Sequence, residues 1–249
     1  MLKNGKFLAF DTSTDVMSVA LTDGERVWQH AGPGGAKAST TLIPAVLALL
    51  AQANLALGDL RAIAFGRGPG SFSGLRTACA VAQGLAYGAN QGTGIDVLPI
   101  DTLLALAEEA RFQAPAGVQA ITAMLDARMN EIYVQRYDVH NTELHGVGRC
   151  ELLRPENISP DAGGLFAGNV FDVYASRLPA GLSQLVCLPT ATAMLRLAPA
   201  LAASGHCVHA ALALPLYVRD KVALTTDERA EVSRAKAMAT AQSAQTQAP

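Results

Sequence analysis

Charged residues are scarce in this 249-residue chain: it has 19 lysines and arginines against 21 aspartates and glutamates, which gives a net charge of −2. Proteins that bind nucleic acid by themselves usually carry a clustered basic surface. The charge balance therefore argues against autonomous nucleic-acid binding, and any such contact would have to be shared with a partner. Half of the residues are hydrophobic, so the chain can bury a sizeable core.

Cysteine pairs and long apolar runs are also missing. The four cysteines, Cys79, Cys150, Cys187 and Cys207, include no CxxC spacing, so we expect free thiols in a reducing compartment rather than a zinc or redox site. No run of about twenty apolar residues is free of charge, proline and glycine. The first residues also lack the apolar stretch of a signal peptide. We expect a cytoplasmic protein without membrane contact.

The common catalytic signatures are absent from the sequence. There is no HxxxH pair that would place two metal ligands on one helical face, and no GxSxG nucleophile motif. We therefore predict no catalytic residue and no metal site.

The hydrophobic pattern predicts an α/β protein. The chain opens with a three-stranded antiparallel meander, and strands then alternate with helices, which implies crossover connections and parallel strands. The predicted strands of this first half are 7–10, 16–21, 26–30, 61–65 and 97–100, and its predicted helices are 39–53, 73–87 and 102–111.

The pattern of a strand meander followed by further strands and helices begins again after residues 113–117. Leu8–Asp11 and Ala123–Asp126 match in position, and four residues after each aspartate comes Asp15 or Asn130. Such a duplication is typical of the actin-like ATPase fold, with two similar subdomains that each have a mixed sheet and flanking helices. We predict subdomains at 1–112 and 113–224, and a disordered tail at 225–249. The second half has predicted strands at 121–125, 132–137, 147–152 and 165–167, a helix at 191–203 and an extended segment at 214–219.

A glycine-rich turn, from Gly66 to Arg76, follows a strand and opens a helix. It is neither a Walker A motif nor GxGxxG. Three interpretations stay open: a tight packing turn, an anion site at a helix N-terminus, or a partner surface. The candidate anion or nucleotide residues are Asp11, Thr12, Ser13, Gly68, Gly70 and Ser71.

The two acidic turns also have alternative interpretations. In actin-like kinases the first hairpin turn faces the nucleotide phosphates, and an acidic residue such as Asp11 or Asp15 can hold Mg²⁺ there through water. The alternative is an Asx turn that caps its own backbone. Asp126 and Asn130 mirror this pair in the second half.

Small residues dominate the helix after the glycine-rich turn. They suit either close packing on its own sheet or a flat apolar surface shared with the helix at 39–53, and such a surface is seldom left open in a monomer. These small residues are Gly74, Thr77, Ala78, Ala80, Ala82, Gly84 and Ala86.

Three strings of this sequence, LAFDTSTDVMSVAL, GRGPGSFSGLRTACAVAQGLAYG and LPLYVRDKVAL, closely resemble the bacterial TsaB (YeaZ) family. That family is related to TsaD (Gcp, glycoprotease-like) and works in making threonylcarbamoyladenosine beside the anticodon of tRNA. The resemblance implies an actin-like fold and a non-catalytic scaffold subunit that forms a heterodimer with TsaD and recruits TsaE. It also implies that tRNA is contacted only through the complex, that ATP or ADP would bind at the complex interface, and that the isolated chain can form a homodimer.

The same resemblance implies an interface on the first two helices. Carried onto this sequence, its residues are Ser39, Leu42, Ile43, Val46, Leu50, Ser73, Leu75, Arg76, Ala78, Cys79, Ala82 and Leu85. The chain departs from the family at Ala38 and Thr40, where relatives commonly have His and Glu. The alternative function is an actin-like ATPase or phosphotransferase that uses Asp11 and the Gly66–Arg76 loop.

Overall fold

The first half of the chain forms a five-stranded mixed sheet. The computed structural model describes residues 5–92, 94–160 and 163–219. Three strands form an antiparallel meander, and the last two run parallel to the first, in the order β3-β2-β1-β4-β5. The strands are β1 Phe7–Asp11, β2 Val16–Thr22, β3 Val27–Pro33, β4 Ala62–Gly68 and β5 Asp96–Asp101.

The second half repeats this topology. Its sheet has the order β10-β9-β6-β7-β8, so the first strand of the half again lies between its hairpin partner and a parallel neighbour. This equivalence confirms the predicted fold class, an actin-like arrangement of two similar subdomains. The strands are β6 Ala120–Asp126, β7 Ile132–His140, β8 Glu143–Leu153, β9 Leu165–Gly168 and β10 Ser183–Val186. The sequence pattern missed β10, because four residues that are half polar carry no recognisable period.

Four α-helices flank the sheets: α1 Ala38–Ala53, α2 Phe72–Gly88, α3 Thr102–Gln113 and α4 Ala191–Ala203. Three of them differ from the predicted bounds by one or two residues, which is within the usual uncertainty of helix ends, and α4 matches its predicted bounds. Within the residues that the structure describes, no helix has the length and apolarity needed to cross a membrane.

Both faces of the first sheet are covered by helices. Side chains alternate along a strand, so Leu8 and Phe10 of β1 face α1 and α2, whereas Phe7 and Ala9 face α4. This explains why β1 is a continuous apolar run: both of its faces are buried.

Helices α3 and α4 each pack against the sheet of the other half. Helix α3 covers β6 of the second sheet, and α4 covers the first sheet. Arg196 of α4 joins them by ion pairs to Glu108 and Glu109 of α3, at 2.8 Å each. The chain up to Val218 is therefore one compact unit. The subdomain boundary after residue 112 stays a prediction, and the predicted tail at 225–249 lies outside the described residues.

Candidate functional site

The glycine-rich turn is hydrogen-bonded to the first hairpin turn, and we call this contact between residues 11–13 and 66–74 the clasp. The Ser71 backbone N–H donates to the Ser13 carbonyl at 2.7 Å. The Thr12 hydroxyl donates to the Gly74 carbonyl, also at 2.7 Å, although the two residues are 62 positions apart. The start of α2 is therefore held against the end of β1 by direct contacts.

Two glycines allow this close approach. A side-chain carbon at Gly74 would overlap the Thr12 carbonyl oxygen, and one at Gly66 would overlap the Asp11 carboxylate. Any larger residue would push the two turns apart. Of the three interpretations of this turn, packing accounts for both glycines.

Asp11 is fully buried in this clasp. Its Oδ1 accepts hydrogen bonds from the Ser13 backbone N–H at 2.9 Å and the Ser13 hydroxyl at 2.6 Å. Its Oδ2 has no hydrogen-bond partner among the described residues. Burial raises the pKa of Asp11 to about 6, which outweighs the lowering effect of the two bonds from Ser13.

The predicted anion or nucleotide residues therefore do not form an open site. Asp11, Thr12, Ser13 and Gly68 are buried, and Gly70 and Ser71 are half-buried. Apart from Oδ2 of Asp11, the side-chain polar groups of Asp11, Thr12 and Ser13 are hydrogen-bonded within the chain. In the described chain these residues are mostly closed to solvent, and their assignment to an anion or nucleotide site stays a prediction.

An arginine stands between the two equivalent acidic turns. Arg128 contacts Asp15 of the first turn at 3.0 Å and Asp126 of the second at 3.5 Å. The duplicated topology thus brings together two turns that are 113 residues apart. Each turn also forms an Asx turn, because the N–H of Ser13 or Arg128 donates to the aspartate two residues before it.

A guanidinium group thus lies against Asp15, one of the two carboxylates considered for Mg²⁺, whereas Asp11 is buried away from it. Asn130, the mirror of Asp15, accepts a hydrogen bond from Arg177 at 3.0 Å. Among the described residues, no three His, Cys, Asp or Glu side chains are grouped to hold a metal ion. Sequence reasoning missed Arg128, although its position in the second turn corresponds to that of Ser13 in the first.

Most of the predicted interface residues lie inside the chain's own core. The buried ones are Leu42, Val46, Leu50, Leu75, Ala78, Cys79 and Ala82. They are therefore not exposed in the described chain, and their assignment to a partner interface stays a prediction. They are buried because an apolar helical period marks the face that packs on the sheet. Leu85 is half-buried, and Ser39, Ile43, Ser73 and Arg76 are exposed.

The outward side of α1 and α2 shares only Ile43 with the predicted residues named here, and we call its members Ile43, Leu47, Ala80 and Gly84 the outer face. On α1 it has Ile43 and Leu47, which are 42% and 52% exposed. On α2 it has the exposed Ala80 and Gly84, and a side chain added at Gly84 would meet nothing within 4 Å. The two helices contact each other, and all four of these exposed residues are uncharged.

The closing segment, residues 209–218, runs beside α2, and we call it the C-terminal strap. The Ala213 carbonyl accepts hydrogen bonds from the Cys79 thiol at 3.2 Å and from Gln83 at 3.1 Å. Further along, the Leu216 N–H donates to the Arg67 carbonyl at 2.7 Å. The sequence predicted an extended segment here but not its place against α2.

The sequence is similar to a known protein family and to several of its members. Residues 35–245 match the family model described as TsaD, tRNA N6-adenosine threonylcarbamoyltransferase. The chain is 34% identical to the tRNA threonylcarbamoyladenosine biosynthesis protein TsaB of Haemophilus influenzae, over 89% of this chain and 96% of that protein. It is 32% identical to the TsaB protein of Escherichia coli, over 88% and 96%.

A solved structure gives the same assignment. YeaZ from Pseudomonas aeruginosa is 36% identical and superposes with a TM-score of 0.77, over 86% of this chain and all of that one. The matches span both sheets, the glycine-rich turn and the strap. The chain therefore belongs to the TsaB (YeaZ) family.

Proposed function

We propose that this chain is a non-catalytic subunit needed for making threonylcarbamoyladenosine on tRNA, and that it acts by pairing with TsaD and recruiting TsaE. The observation that carries the proposal is the outer face of α1 and α2. Ile43 and Leu47 are exposed on α1, and the small residues Ala80 and Gly84 are exposed on the adjacent helix α2, so another helix pair can approach closely. Curated relatives are named as biosynthesis proteins of this tRNA modification.

Three observations support a non-catalytic role. Asp11 is buried, and its Oδ1 accepts hydrogen bonds from the backbone N–H and the hydroxyl of Ser13. Arg128 forms ion pairs with Asp15 and Asp126, so the guanidinium group neutralises the carboxylates that face each other from the two turns. The net charge of −2 offers little attraction for tRNA. In this proposal tRNA and any ATP or ADP are held by the complex rather than by this chain alone.

The test of the pairing is Gly84→Arg. The added side chain has room in the free chain, and arginine favours a helix over glycine, so the variant should fold. In the complex its charge would be buried without a partner, which should weaken binding to TsaD on the order of 100-fold. Ala82→Arg is unsuitable, because Ala82 is fully buried and the variant would fail by unfolding.

The measurement is calorimetric titration of TsaD with each variant. The matched control is Ala200→Arg, an exposed position of α4, which should bind like the unmodified chain. Unchanged affinity of Gly84→Arg for TsaD would remove the outer face from the proposal. Separately, the proposed requirement fails if TsaD and TsaE modify tRNA equally well when this chain is left out.

A further inference from the structure

The C-terminal strap is attached to α2 at both ends of the helix and in its middle. His209 packs edge-on against Tyr87 at 5.6 Å, near the end of α2. Ala213 is hydrogen-bonded by Cys79 and Gln83 in the middle. Tyr217 stacks on Phe72 at 5.3 Å, where α2 begins. The strap therefore runs antiparallel to α2 for about 25 Å, the length of a 17-residue helix.

The strap turns small or backbone atoms inward and large apolar side chains outward. Ala213 is fully buried, whereas its neighbours on the outside stand 67% and 69% exposed. Aromatic side chains at the two ends of α2 extend the same line. We call this line the apolar ridge, and its members are Phe72, Tyr87, Leu212, Leu214 and Tyr217.

The size of the ridge indicates a binding role. Its five side chains are between 42% and 69% exposed. Taking about 200 Å² for a whole large side chain, they expose on the order of 500 Å² of mostly apolar surface. Patches of this size on a monomer are usually functional. A standard interface buries about 800 Å² on each partner, so the ridge would need a second surface beside it.

One end of the ridge is already organised as an anchor. Arg76 lies over the Phe72 ring at 3.9 Å and donates a hydrogen bond to the Tyr217 hydroxyl at 3.1 Å. Tyrosine and arginine are enriched among the residues that dominate binding energy. Because the three side chains hold one another in place, little conformational entropy is lost when a partner covers them.

The near absence of charge around the ridge indicates which kind of partner can bind there. Arg76 is the only Lys, Arg, Asp or Glu residue in α2, and the strap has none. Even with Arg219, which directly follows the strap, two cations are too few to hold a phosphate backbone, which disfavours RNA as the occupant. An apolar protein surface fits better.

We propose that the apolar ridge is a second part of the surface that docks TsaD, continuous with the outer face through α2. This inference rests on the proposed function. One partner that lies across α2 would cover the outer face on one side and the ridge on the other. The strap then contributes directly to pairing, besides packing against its own helix.

The test is Leu214→Asp, measured by the same titration with TsaD. Leu214 is 69% exposed, so the variant should unfold at the same temperature as the unmodified chain. A carboxylate buried in the apolar contact should weaken binding at least about tenfold. Leu214→Met should bind normally. The matched control is Val173→Asp, an exposed valine away from the strap, which should also bind normally.

A second variant, Tyr217→Ala, removes the anchor and should weaken binding by a similar factor. If Gly84→Arg loses binding while Leu214→Asp and Tyr217→Ala both bind normally, the ridge inference is wrong and the proposed pairing stands. If the unmodified chain does not bind TsaD, both are wrong. A ridge variant that changes only self-association or only tRNA binding would also overturn the assignment to TsaD.

Discussion

Gly74→Ala is expected to lower the free energy of unfolding by about 3 kcal/mol or more, while Gly84→Ala in the same helix raises it by about 0.5–1 kcal/mol. At Gly74 the new methyl group would overlap the Thr12 carbonyl oxygen, which is backbone and cannot rotate away. Relief requires the two turns to separate, which also strains the hydrogen bonds from Thr12 and Ser71. At Gly84 the methyl group meets nothing within 4 Å.

Urea unfolding followed by circular dichroism measures both changes. The pair is matched, because the same substitution is made twice in α2 and intrinsic helix propensity favours alanine at both places. If the free energy of unfolding falls for Gly74→Ala and rises for Gly84→Ala, the difference comes from the clasp and not from helix propensity. Equal stabilisation by both variants would show that the turns are not held together as described.

Asp11→Asn is expected to change how stability depends on pH. The pKa of Asp11 is about 6 in the folded chain, against an ordinary value of 3.8. Between these values the folded state keeps a proton that the unfolded state has lost, so the stability of the unmodified chain falls as the pH rises through this window. Ionising the buried carboxyl group lowers the free energy of unfolding by about 3 kcal/mol, at 1.36 kcal/mol per unit of pKa difference, and the full loss is reached above pH 6.

Asparagine keeps an oxygen for Ser13 but does not ionise. The stability of Asp11→Asn relative to the unmodified chain should therefore rise by about 3 kcal/mol between pH 3.5 and pH 7.5. Urea unfolding across that range measures the difference. Ser13→Ala supplies the control: the bonds from Ser13 lower the pKa of Asp11, so losing the hydroxyl should extend the window to higher pH. A pH-independent difference between Asp11→Asn and the unmodified chain would contradict the burial of this carboxylate.

The burial of most predicted interface residues has one physical cause. Apolar residues at helical spacing, such as Leu42 and Val46, show which side of α1 is apolar, and that side packs on the sheet. Leu47 and Gly84 lie outside, but the sequence does not separate them from the inner residues, because Leu47 is apolar like Val46 and Gly84 is small like Ala82. The exposed residues of α1 and α2 can therefore be identified only once the tertiary structure shows which side of each helix is buried.

The sequence by itself determined the local elements and their duplication. Strand runs, turn residues and helical periods depend on neighbours a few positions away, so β1, α2 and the two aspartate turns were predictable. The tertiary structure alone decided which elements meet. The Ala191 N–H donates to the Ser18 hydroxyl across 173 residues, Arg128 reaches Asp15 across 113, and the strap lies on α2. Such contacts arise from closing long loops of chain around a shared core, and no local pattern encodes which loop closes where.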